Sequence, residues 1–156
     1  MLGNPITPMF EGVPEVGLHM LGWDDFSEDT PEILDEEKRA YSLGVDILHI
    51  KSIIQIEACY KYHVLHKDKE YVTKWMQQSG IFSEQEAKNV VTFFTDPVQK
   101  YYYPAYYYGK ILLQQAYDVI PKTQRKEFFE ILYNMPHTTK TLCNAVSKIS
   151  NIEFKL

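Results

Sequence analysis

The stretch from Pro31 to about His66 constrains the fold most, because helical periodicity persists through it for roughly ten turns. Thr30 supplies a capping hydroxyl, and Pro31 suits the first position of a helix. Gly44 is the one weak point inside this element. The sequence therefore predicts one long helix here, and no other segment shows the clear alternation of a strand.

Shorter helices are expected on both sides of the long one. Their predicted ranges are about 11–23, 69–78, 83–94, 96–120, 121–134 and 138–149. Ser83 to Glu86 has the pattern of a capping box, and Pro104 should kink the helix that contains it. We therefore expect an all-α bundle of about seven helices, with one long central helix and a proline-kinked, Tyr-rich helix.

Length and charge narrow the class of protein. The chain has 156 residues, which predicts a single all-α domain over 1–156 that needs no metal or disulfide to fold. The net charge is −5 and the lysines are scattered among carboxylates, so we expect no nucleic-acid partner. No apolar run approaches the roughly 20 residues of a membrane span, and no signal peptide is expected. Cys59 and Cys143 lie in apolar surroundings and indicate a reduced, cytoplasmic, soluble protein.

The first candidate site is at the start of the chain. On a helix, Glu11, Glu15 and His19 are four residues apart and face the same way. Two carboxylates and an imidazole on one face can ligate a metal and orient its other ligands. The alternative is a solvated helix face, where carboxylates near the N-terminus suit the helix dipole.

The second candidate is a polar stripe on the long helix, formed by Asp46, His49 and Glu57 between strongly apolar neighbours. If the helix is buried all round, these groups need partners or a wet cavity, which they would line. Asp46 and His49 also have the i, i+3 spacing of a metal-ligand pair in a helix bundle. The alternative is one solvated stripe on a half-buried helix.

The third candidate is the tyrosine-rich run from Tyr101 to Gly109. Tyr102 and Tyr106 share a helix face, and a phenol can donate a hydrogen bond to a developing oxyanion. Aromatic packing is the alternative. The sequence contains no HExxH, no G-x-S-x-G and no phosphate-binding glycine loop, so it does not hold a complete catalytic site.

Two of these candidates resemble one clan of enzymes. The segment from Tyr102 to Leu112 is similar to the Y-F-P-T-Y-x-x-G-N-L stretch of carboxypeptidase Taq-type metallopeptidases and to the G-Y-x-A-G-Y-Y stretch of thimet-type oligopeptidases. In those enzymes tyrosines near the zinc help to stabilise the tetrahedral intermediate. The resemblance therefore implies a catalytic role for Tyr102 and Tyr106.

Glu11-Gly12 similarly resembles the E-G that follows HExxH in gluzincin peptidases. The resemblance implies that Glu11 is the third zinc ligand. It also implies that Glu15 and His19 orient the metal ligands without binding the metal themselves. The order of motifs is also similar to a bacterial group with E-G-W-A-L-Y-A-E, then S-E-E-E-A, then P-G-Q-A-x-x-Y-x-x-G. The resemblance covers about residues 8–148.

The departure from this clan is the missing HExxH, which supplies two histidine ligands and the general base. We therefore expect either the C-terminal, substrate-cleft half of a longer zinc metallopeptidase or a truncated relative that has lost catalysis, and in both cases the chain alone is inactive. Zinc and a peptide substrate would be bound only in a complete site, because catalytic zinc needs three protein ligands. An exposed cleft should promote self-association. On this hypothesis Glu11 lies within roughly 10 Å of the hydroxyl of Tyr102 or Tyr106.

Two other hypotheses remain open. The chain could be a non-enzymatic helical module that binds an apolar ligand or a partner helix in a Tyr-lined cavity. It could also be a carboxylate-bridged metal bundle that uses Glu11, Asp46, His49 and Glu57, although the sequence lacks the paired Glu-x-x-His motifs of such sites.

Overall fold

The structure is a computed structural model that describes residues 7–20, 32–100 and 102–155, without the side chains of Thr7, Glu15, Leu18 and 32–35. Within these ranges there are seven α-helices and no strand, which confirms the all-α fold class. The helices are α1 Thr7–Met20, α2 Glu32–His63, α3 Lys69–Gln78, α4 Glu84–Thr95, α5 Tyr102–Val119, α6 Arg125–Asn134 and α7 Thr139–Ser150, with a 3₁₀ turn at Lys122–Gln124 before α6. Thr30, Pro31 and Trp23, which entered the predicted helix ends, lie outside the described residues.

Helix ends follow the capping residues where the sequence supplies them. The Asp68 side chain accepts a hydrogen bond from the Tyr71 amide at 2.8 Å and begins α3, and Gly80 follows its end with a φ of 73°. Ser83 and Glu86 form the predicted capping box at the start of α4. A second capping box, between Thr138 and Thr141, begins α7.

The junction between α4 and α5 differs from the prediction. Asp96 follows α4 instead of beginning the next helix, and its side chain accepts hydrogen bonds from the amides of Val98 and Gln99. Helix α5 begins at Tyr102, so Pro104 lies in its first turn rather than at a kink in its interior. Proline is tolerated there because the first four amides of a helix have no acceptor within it.

Packing divides the described residues into two compact units. The middle unit contains residues 32–107, and the terminal unit contains residues 7–20 and 108–155. The prediction of a single domain over 1–156 stays a prediction.

The core of the middle unit joins the end of α2 to α3 and α4. The largest fully buried side chains of this core are Phe94 and Met76, and Phe82 closes the core from the loop between α3 and α4. His63, at the end of α2, forms a hydrogen bond of 2.9 Å from Nε2 to the carbonyl oxygen of Phe94.

The core of the terminal unit is built from α1, the second part of α5, α6 and α7. Phe128 of α6 is fully buried among leucines and valines of the other helices. The hydroxyl of Tyr117 donates a hydrogen bond of 2.7 Å to the carbonyl oxygen of Met20, which fixes the end of α1 against α5. The buried members of this core are Met9, Val16, Met20, Leu112, Leu113, Ala116, Tyr117, Ile120, Phe128, Leu142, Val146, Ile149 and Phe154.

The first part of α2 carries apolar side chains that are exposed. They are Leu43, Ile47, Leu48, Ile50 and Ile53. Helix α2 is therefore not buried on all sides, although its sequence is strongly apolar. Only the end of α2 contributes buried residues to a core. Among the described helices, none is both long and apolar enough to cross a membrane.

Candidate functional site

Helices α1 and α5 touch at two glycines of the terminal unit. A Cβ atom at Gly12 would lie 2.5 Å from the carbonyl oxygen of Gly109, and a Cβ atom at Gly109 would overlap the carbonyl oxygen of Pro8. Both residues are buried. Only glycine permits this approach, because any side chain at either position would collide with the backbone of the other helix. The two glycines are those of the E-G and tyrosine-glycine motifs.

Glu11 precedes the first of these glycines and is half-buried. The side chain of Glu15, the expected second carboxylate, lies outside the described part of the chain. His19 is two turns further along α1, where its Nε2 forms a hydrogen bond of 3.1 Å with Oδ1 of Asp118. Its ring also packs edge-on against Tyr117, with the ring centroids 5.7 Å apart. An imidazole held by a carboxylate has a fixed orientation, which is a property of metal-supporting histidines.

The two tyrosines of the third candidate are neighbours in the middle unit. The ring centroids of Tyr102 and Tyr106 are 6.0 Å apart, and Phe93 packs against Tyr102 at 6.0 Å. Both tyrosines are half-buried. Glu11 belongs to the terminal unit and these tyrosines to the middle unit, so the separation of about 10 Å stays a prediction.

Tyr103 lies between these two tyrosines in sequence and has an altered acidity. Burial, with smaller contributions from Cys59 and Tyr106, raises the pKa of Tyr103 to about 12. Burial also raises the pKa of the Cys59 thiol to about 12. Both groups are therefore protonated at neutral pH, so the Tyr103 hydroxyl keeps its capacity to donate a hydrogen bond.

The polar stripe of α2 separates into different environments. Asp46 and Glu57 are exposed, and Glu57 pairs with Lys61 one turn later at 2.9 Å. His49 is half-buried and stacks on Tyr107, with ring centroids 6.3 Å apart. A solvated stripe therefore describes Asp46 and Glu57, whereas His49 is part of the aromatic packing. Among the described residues, no group of three or more His, Cys, Asp or Glu could hold a metal ion.

The sequence analysis did not single out a pocket in the terminal unit. It has a volume of about 320 Å³ and lies between α1 and the segment that joins α6 to α7. His137 lines it and is 6% exposed. The available signal was the histidine between Pro136 and the Thr138 cap, a position where a buried ring is not expected from periodicity.

No family model, curated protein or solved structure matches the chain.

Proposed function

We propose that this chain is the substrate-cleft half of a gluzincin-like zinc metallopeptidase of the cytoplasm, and that an HExxH-bearing half completes its site. The observation that carries the proposal is the backbone contact of Gly12 with Gly109. The first glycine directly follows the expected zinc ligand, and the second ends the tyrosine motif of α5. This contact within the terminal unit joins the glycines of two motifs that are far apart in sequence, and it supports the proposal.

The roles follow from the chemistry of each side chain. The Glu11 carboxylate would supply one zinc ligand, and two histidines of the other half would supply the rest. Zinc bound in such a site would polarise the scissile carbonyl and activate a water molecule. Tyr102 or Tyr106 would then donate a hydrogen bond to the oxyanion.

The exposed apolar side chains of α2 support the proposal that a second polypeptide segment binds this chain. Leu43 is 62% exposed, and Ile47, Ile50 and Ile53 are exposed on the same side of α2. Leu48, which is 59% exposed, lies on the other side of the helix. Contiguous apolar surface on a helix is a frequent mark of a protein interface. A second polypeptide segment that covers this surface would be consistent with the absent half, and the same surface would favour self-association of the chain alone.

The test compares the chain alone with the chain co-expressed with the segment encoded immediately upstream. We expect substoichiometric zinc and no peptide hydrolysis for the chain alone. The complex should hold one zinc ion and hydrolyse a fluorogenic peptide in a chelator-sensitive reaction. Glu11→Gln should remove the zinc, whereas Tyr106→Phe should retain it and lower kcat by about 10²-fold or more.

Matched controls are available on the surface of the terminal unit. Glu127→Gln and Tyr133→Phe change exposed residues of α6 and should alter neither zinc content nor kcat. The proposal fails if the upstream sequence encodes no HExxH. It also fails if the Glu11→Gln complex keeps its full zinc content and activity.

A further inference from the structure

Four exposed apolar side chains form a row along one side of α2. They are Leu43, Ile47, Ile50 and Ile53, and each is at least 44% exposed. At 3.6 residues per turn they lie within about a third of the helix circumference. Spacings of three and four residues are also those of the seam between two paired helices, where the apolar side chains of each helix insert between those of the other. This α2 row therefore has the pattern of a helix-pairing surface.

The neighbouring helices of the middle unit contact other sides of α2. Lys51 bonds Glu86 of α4 at 2.9 Å, and His49 stacks on Tyr107 of α5. Lys51 and His49 point roughly 100° away from the centre of the α2 row, one on each side of it. A second helix can therefore pack on the row without displacing either contact.

Charged residues at the two ends of the row indicate what this second helix is. Arg39 lies four residues before Leu43, Glu57 lies four residues after Ile53, and both charged residues are exposed. In an antiparallel pair of two copies, Leu43 of each copy lies opposite Ile53 of the other, and Arg39 lies opposite Glu57. Two-fold symmetry makes this contact between opposite charges occur twice. A parallel pair would instead place like charges opposite each other at both ends. The row is therefore complementary in charge to an antiparallel copy of itself.

We propose that the chain on its own forms a two-fold symmetric dimer in which the α2 rows of two copies pack antiparallel. Asp46, which is exposed beside the row, would stay at the edge of the interface. From Arg39 to Glu57 the contact would extend over about 27 Å of helix. One helix pair of this length is smaller than a standard interface of about 800 Å² per partner, so we expect a reversible dimer with a micromolar Kd.

This proposal does not rest on the peptidase proposal, because it uses neither Glu11 nor the tyrosine motif. An upstream-encoded half that covers the same row would compete with the dimer. Sedimentation of the chain alone tests the dimer, whereas zinc content and hydrolysis by the co-expressed complex test the peptidase, so the failure of one proposal is distinguishable from the failure of the other.

The first test measures the Kd of the full chain by sedimentation equilibrium between about 1 and 200 µM. Ile50→Ser should raise this Kd by about tenfold or more, because each dimer then loses the burial of two isoleucine side chains. Leu48→Ser is the matched control, since Leu48 is 59% exposed on the other side of the same helix, and it should leave the Kd unchanged. Thermal unfolding checks that each variant is folded.

A charge-reversal cycle tests the antiparallel orientation. Arg39→Glu and Glu57→Arg should each raise the Kd by about fivefold or more, because each places like charges opposite each other twice per dimer. The variant with both substitutions should return to nearly the wild-type Kd, because opposite charges then face each other again with their places exchanged. A parallel pair predicts no loss from either single variant.

Three outcomes would overturn the proposal. A chain that remains monomeric over the whole concentration range would mean that no second copy binds the row. Equal weakening by Ile50→Ser and Leu48→Ser would mean that the association does not use the row. Single charge reversals that have no effect, or that the double variant does not compensate, would mean that the two copies are not antiparallel.

Discussion

The two units of the molecule are stabilised in different ways. The middle unit joins helices that are consecutive in sequence, and α3 and α4 are separated only by a short loop. The terminal unit combines α1 with helices that follow the whole middle unit. Closing the longer loop costs more conformational entropy, so the terminal unit depends more on close packing between distant segments. The comparison shows how one helical chain uses both local and long-range contacts.

The two units also differ in their polar contacts. In the middle unit Lys51 of α2 bonds Glu86 at 2.9 Å, and Glu86 is also part of the α4 capping box. In the terminal unit two hydrogen bonds join distant segments: the buried bond from Tyr117 to Met20 and the more exposed bond between His19 and Asp118. A charged contact at the surface responds to pH and salt, whereas a buried neutral hydrogen bond does not.

The largest expected effect comes from emptying either core. Phe94→Ala in the middle unit and Phe128→Ala in the terminal unit each remove a fully buried ring. Each should lower the free energy of unfolding by about 3–5 kcal/mol. Hydrogen exchange then tests the comparison: Phe94→Ala should reduce protection first in α3 and α4, and Phe128→Ala first in α6 and α7. Equal loss of protection everywhere would mean that the two units unfold as one.

Gly109→Ala should be the next largest change. The added methyl would overlap the Pro8 carbonyl and force α1 away from α5. We expect a loss of about 1–3 kcal/mol, measured by urea denaturation. Gly17→Ala on α1 is the matched control, since a Cβ there meets no atom within 4 Å, and it should stabilise the helix by about 0.5–1 kcal/mol. If the two variants changed the free energy of unfolding by similar amounts, the contact between Gly12 and Gly109 would not constrain the packing of the terminal unit.

The smallest effect is a pH dependence at the start of α4 in the middle unit. Hydrogen bonds from Lys51 and Ser83 lower the pKa of Glu86 from 4.5 to about 2. A lowered carboxyl pKa contributes stability above pH 4.5 that is lost as the pH falls towards about 2. The α7 capping box uses Thr141, which does not titrate. Hydrogen exchange between pH 6 and 2 should therefore show α4 losing protection before α7, and Glu86→Gln should reduce that difference. Protection that falls in parallel in both helices would contradict it.

The capping residues explain how much of the fold the sequence predicted. The range of α3 agrees with the prediction, because Asp68 and the Ser79-Gly80 pair act on the backbone next to them. The predicted start of α5 was wrong because Asp96-Pro97 fits a helix start as well as it fits a turn. Packing decides whether a helix start or a turn forms there, and residue type alone does not encode that packing.

The candidate site was predicted less completely. The sequence marked Gly12 and Gly109 as parts of motifs, but not that their backbones touch. It did not mark His137, because one buried ring in a loop has no periodicity. It treated Asp46 and Glu57 as either cavity-lining or solvated, and they are exposed.

The sequence by itself therefore determined the helical class, most helix ends and the order of the motifs. These depend on hydrogen bonds and hydrophobic spacing within one or two turns. Only the tertiary structure decided that α1 packs on α5 through two glycines, that the first part of α2 remains exposed, and that a pocket forms around His137. These features depend on which distant surfaces meet, and an apolar residue is equally suited to a core, a pocket or an interface.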